Sequence, residues 1–205
     1  ALDERIELAS AQPGYFSVRR AVGDAIFVVR VDGAPTLCGD RAPHTDCRVG
    51  VLDLGRLDTL PEDEAWLRSR APELGAVVWY GKLIKTHELG DKLVVSQAWV
   101  QRAVSASLAG TVPSSLHVLR DVHEGCAAAE GCAWLRTEPI DGTRAVHDAQ
   151  MDMLLLDRTL DDATKAAIAR GEVLAVGLNA GTSFIPGALY TPWNVVIAGG
   201  SVPVR

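Results

Sequence analysis

The sequence predicts an α+β protein made of two strand-rich repeats, each running strand, strand, strand, helix, strand, strand, packed as one pseudo-symmetric body. Three observations predict it. Residues 15–100 and 115–198 pass through the same order of signals, as a tandem duplication does. Each stretch carries one close cysteine pair, Cys38 with Cys47 and Cys126 with Cys132. Each also closes on a strand holding a tryptophan, Trp99 and Trp193. Strand-rich halves leave sheet edges that a neighbouring half covers most simply, hence the single body. The expected organisation is a tail or short helix at 1–13, a first repeat at 14–103, a linker at 104–113 and a second repeat at 114–205.

Residues 1–12 offer Leu2, Ile6 and Leu8 at loosely helical spacing, and Pro13-Gly14 ends that segment. From Tyr15 to Arg20 the chain alternates as a strand, and Gly23-Asp24 suits a tight hairpin. The run from Ile26 to Val31 is apolar at nearly every position, so it should be covered on both faces. Val49 to Leu54 makes the third strand. Thr59 to Glu62 reads as a capping box with proline in the first turn of a helix whose far end Pro72 limits, with Trp66 and Leu67 facing inward. In the second stretch Leu116 to Asp121 opens, Met151 to Leu156 is the third strand, and Asp161 and Asp162 cap a helix from Ala163 to Arg170. Gly171 stands where a glycine ends such a helix.

With 205 residues, 48% hydrophobic and 22% charged, the chain has the composition of an ordinary globular protein. Its apolar stretches are only strand-length, which excludes a membrane-spanning helix. A formal net charge of −6 without a basic cluster argues against a nucleic-acid partner. Four cysteines in local pairs fit a small disulfide framework in an oxidising compartment, and a start at alanine fits a mature, exported form in the periplasm, the envelope or the medium.

The stretch Cys38-Gly-Asp-Arg-Ala-Pro-His44-Thr-Asp46-Cys47 could ligate zinc. Close Cys-x-x-Cys spacing is missing and His44 lacks a counterpart in the second stretch, so the expected pairing is a disulfide and no cofactor is expected. His117, His123 and Glu124 lie near Cys126 and Cys132, but bridged cysteines cannot act as nucleophiles. His147-Asp148 reads as a turn. Trp134, Arg136 and Glu138 share one face of a strand, an aromatic beside a guanidinium and a carboxylate, which suits a planar or peptide-like ligand. Tyr80 and Lys82 alternate onto the face opposite Trp79 and pose the same question. Trp66, Trp79, Trp99 and Trp193 fit core positions.

The Phe-Ser-Val-Arg opening, the Cys38 to Cys47 loop, Val51-Leu-Asp-Leu54, Leu93-Val-Val-Ser-Gln-Ala-Trp99, Arg120, the Cys126 to Cys132 loop and Leu174-Ala-Val-Gly177 together resemble a family of exported bacterial proteins of unknown function. Its members are duplicated, β-rich and disulfide-bearing. The resemblance implies export and the bridges Cys38–Cys47 and Cys126–Cys132, and it implies no activity. More narrowly, the chain resembles the binding proteins of crocagin-type ribosomal peptide pathways, which implies a peptide or peptide-derived ligand. The expected function is therefore non-catalytic binding of a small peptide or peptide-derived natural product, with a homodimer possible. A small hydrolase using His117, His123 and Glu124, and a protein-interaction or inhibitor module, are the alternatives.

Overall fold

The computed structural model describes residues 2–86, 90–121, 134–141, 147–151, 162–180 and 183–194. The fold is mixed and strand-rich, with few helices. No helix among the described residues is long and apolar enough to cross a membrane. The chain divides into two compact units, residues 1–98 with 110–112 and residues 99–109 with 113–205.

Unit 1 holds α1 (Leu2–Ser10), β1 (Pro13–Val22), β2 (Ala25–Arg30), β3 (Cys47–Asp53), α2 (Pro61–Arg70), β4 (Val77–Lys85) and the beginning of β5 (Asp91–Val104). β1 pairs antiparallel with β2 and with β4, β2 pairs with β3, β4 neighbours β5, and β3 returns to pair parallel with β5. Five strands thus close on themselves and leave no open edge between first and last. Phe16, Val18, Val28, Trp79 and Leu93 are among the residues buried in this unit, each at most 2% exposed.

Local chemistry explains the elements. Gly23, at φ +57, supplies the left-handed residue that the two-residue connection between Val22 and Ala25 requires. Helix α2 is capped one residue later than expected. Pro61 takes the first helical position and forces Leu60 into extended backbone, φ −72 and ψ 157, so Leu60 is the cap and Asp63, not Glu62, accepts its N–H at 3.4 Å. Leu67 is fully buried while Trp66 is only half covered.

The strand from Ile26 is covered on one face only by the core. Ile26, Val28 and Val31 are buried and the alternate Phe27 and Val29 are half-buried. Phe27 gains its cover from Arg20, whose guanidinium lies 3.5 Å over the ring while also forking onto Asp46. The expected bridge Cys38–Cys47 is formed and ties the preceding loop to the start of β3.

Unit 2 holds the end of β5, β6 (Leu116–Asp121), β7 (Trp134–Pro139), β8 (His147–Met151), α3 (Asp162–Ala169), β9 (Val173–Ala180) and β10 (Ser183–Pro192). β6 pairs antiparallel with β7 and β9, β7 with β8, β9 with β10, and β8 pairs parallel with β10. The end of β5 adds to β10 as a sixth strand. Gly171, at φ +69, ends α3 and donates to the Ile168 carbonyl, as its place in the sequence suggests.

The third strand of this unit is His147–Met151, so His147 and Asp148 stand in a strand opposite Thr137 and Arg136 and not in a turn. Residues 152–156, expected to form that strand, lie outside the described residues, as do Cys126 and Cys132. Residues 105–109 are not a loose tether. Ser105 is buried, and its N–H donates to the Gly187 carbonyl at 2.7 Å. Trp99 is buried and Trp193 half-buried.

Candidate functional site

Tyr80 and Lys82 line one groove of unit 1, together with Leu8, Pro13, Arg56, Gly81, Val94 and Ser96, around about 220 Å³. β4 places them by alternation: Trp79 and Gly81 are buried, while Tyr80 and Lys82 are half-buried on the opposite face. The antiparallel register sets Tyr15 of β1 directly across from Tyr80, and the two rings lie 4.8 Å apart, tilted by 49°. That spacing is a favourable aromatic pair. Burial first, then the neighbouring Tyr80 and Asp32, push the Tyr15 phenol up, so it stays protonated at neutral pH and can donate.

The polar lining is one-sided in charge. Lys82 Nζ donates to the Leu8 carbonyl at 2.9 Å and meets no carboxylate within ion-pair distance among the described residues. Arg56 is exposed at the groove, and Ser96 Oγ donates to the Tyr80 carbonyl at 3.2 Å. Among the described residues no Asp or Glu lines the groove. Gly81 sets its depth: a Cβ there would run into the Val94 carbonyl oxygen, so only glycine lets β4 and β5 approach so closely.

The second unit presents the same register with different side chains. Leu116 faces Val176 where Tyr15 faces Tyr80, and Gly177 and Leu178 follow Val176 as Gly81 and Lys82 follow Tyr80. Gly177 likewise keeps a Cβ clear of a neighbouring carbonyl, that of Ile185. In unit 2 these register positions hold Leu116 and Val176, both buried, and Leu178, which is 72% exposed.

Of the other expected site residues, Arg136 and Glu138 lie half-buried on β7, and Trp134 is on the same strand opposite Gln150 of β8; its side chain lies outside the described residues. Arg136 stands across from Arg120 and Asp148, and the Arg120 guanidinium reaches Glu138 at 3.8 Å. These residues belong to unit 2 and Tyr80 and Lys82 to unit 1. His117 is buried, with its ring edge-on to Phe184 at 5.4 Å, and His123 and Glu124 lie outside the described residues. Asp91 lies close to both bridged sulfurs, but a disulfide leaves no thiolate to ligate a metal.

Tyr15, Arg56, Ser96 and Leu8 had no signal that joined them to Tyr80 and Lys82. A glycine inside an apolar strand, Gly81, was the one available cue to a close approach. Compared with known proteins, the chain matches no family model, no curated protein and no solved structure.

Proposed function

We propose that the chain is a non-catalytic binding protein for a small peptide or peptide-derived molecule with an anionic end, held in the groove of unit 1. One observation carries this reading: in a chain of net charge −6, the groove gathers Lys82, Arg56 and Tyr80, whose ring is backed by Tyr15, and no carboxylate among the described residues lines it. An ammonium and a guanidinium suit a carboxylate, and tyrosine faces suit a planar side chain beside it. A volume of about 220 Å³ takes one end of a ligand, since pockets for whole drug-sized ligands run to about 300–1,000 Å³.

The matching strand pairings of the two units support a duplicated architecture, each copy an OB-type five-strand ring, a scaffold that commonly carries binding faces. The Cys38–Cys47 bridge favours an oxidising, exported setting. Both features agree with the resemblance to exported, disulfide-bearing bacterial proteins and to binders of ribosomal peptide products.

Calorimetric titration with N-acetylated dipeptides, as acids and as amides, tests the reading. Saturable binding of acids is expected, weakened at least tenfold (about 1.4 kcal/mol) by Lys82→Leu and by Tyr80→Ala. Leu178→Lys should leave the acids' affinity unchanged. An absence of saturable binding across the panel would sink the proposal.

A further inference from the structure

Helix α1 is attached to unit 1 by polar links near its C-terminal end. Lys82 Nζ donates to the Leu8 carbonyl at 2.9 Å, Arg41 Nη2 donates to Ser10 Oγ at 2.6 Å, and the same guanidinium lies 3.6 Å from the Glu7 carboxylate. Among its described side chains apolar anchoring is slight, for Ile6 is 59% exposed and Leu8 only half-buried. Nine residues are also too few to hold a helix alone in water, where about 12–15 are marginal. Its docking therefore depends on those contacts.

The helix borders both cavities described in unit 1. Leu8 lines the groove of Tyr80 and Lys82, and Glu7 and Ser10 roof a separate chamber of about 140 Å³ floored by Phe16, Leu37 and Leu83. One ammonium, that of Lys82, thus serves two masters: the last turn of α1 and the groove.

We infer that α1 is a latched lid, and that a ligand carboxylate at Lys82 releases it. This rests on the groove being the binding site. The last turn of a helix leaves carbonyls open and carries a partial negative charge. An incoming carboxylate competes for the Lys82 donors and is repelled by that same helix end. Anion binding and helix docking are therefore antagonistic, and a ligand able to pull Lys82 away opens the chamber beneath. Neutral ligands lack this lever, so the lid discriminates free acids from amides or esters of the same shape.

Amide hydrogen exchange across residues 5–11 of the full chain reads the latch. Saturating N-acetylphenylalanine should raise exchange there at least threefold, whereas N-acetylphenylalaninamide should leave it unchanged. Lys82→Gln should show the raised rate without ligand and no further response to the acid, with exchange in β9 unaltered as the control for folding. Native-like α1 exchange in Lys82→Gln overturns the latch. Acid that binds by calorimetry yet slows α1 exchange overturns the antagonism. Acid that gives no binding heat overturns the groove reading and the release with it, separately from the Lys82→Gln result.

Discussion

Unit 1 and unit 2 close their strands by the same pairings, yet they differ where a ligand could be gripped. Around Gly81 the first unit sets two tyrosines and a lysine, and around Gly177 the second sets Leu116, Val176 and Leu178. Each glycine admits a neighbouring strand's carbonyl, and Gly177 admits the edge of the Phe184 ring as well. What differs is what stands outside: Tyr15, Tyr80 and Lys82 are half-buried on the outer face, whereas Leu116 and Val176 are buried and only Leu178 is exposed. Beneath that face the contrast continues: Phe16 faces Trp79 in unit 1, and His117 faces Ala175 in unit 2. The first unit fills its interior with two large aromatic rings. The second combines a small side chain with a buried histidine packed on Phe184.

The sharpest way to test this contrast is to shrink the larger filling. Trp79→Ala, which gives unit 1 the residue that unit 2 carries at Ala175, should cost about 3–5 kcal/mol in urea unfolding, because a fully buried ring leaves a cavity. A loss under about 1 kcal/mol would mean the two interiors are interchangeable.

Next in size, Gly81→Ala and Gly177→Ala should each destabilise by about 1–3 kcal/mol through forced strand separation. Similar losses in the two variants would confirm one shared backbone demand. A tolerated alanine at either position would break the comparison.

The smallest effects are electrostatic and belong to unit 1. The Asp46 carboxyl is held below its ordinary range by the hydrogen bond from Arg20, despite some desolvation. At Asp53 burial pulls upward, but the Lys92 hydrogen bond and ammonium and the Gly55 N–H outweigh it. A depressed folded pKa gives stability that is present above about pH 4, the ordinary carboxylate value, and lost as pH falls through the folded value. Asp91 runs the other way. Burial raises it beyond what the Gly39 N–H can offset, so its contribution is full at low pH and is lost as pH rises through its folded value. The unfolding midpoint, followed from pH 7 to pH 3, should therefore fall less in Asp53→Asn than in the native chain and more in Asp91→Asn. Parallel pH profiles in the two variants would contradict this assignment.

Sequence reading reached what is local. Strand alternation, the Gly23 turn, the Gly171 helix end and the Cys38–Cys47 bridge each depend on residues within a few positions of one another, and each is present. The α2 cap slipped by one residue because proline's restriction on its predecessor outweighed the Thr59 to Glu62 pattern. His147-Asp148 stands in a strand although its residues suit a turn, because β7 supplies a pairing partner. The groove was half legible. Alternation put Tyr80 and Lys82 on one face, but Tyr15 joins them only through the register of β1 on β4, and Leu8 only through a hydrogen bond that crosses 74 positions. No local pattern encodes such pairings.

Gly81 has a consequence for tracing the ancestry of this chain. A residue that backbone crowding forbids to change becomes a fixed reference in drifting sequences, while its neighbours on the outer face are at liberty to follow whatever the protein holds. In distant kin, the glycine between Tyr80 and Lys82 would mark the place, and, on the proposed function, the two letters flanking it would report the ligand.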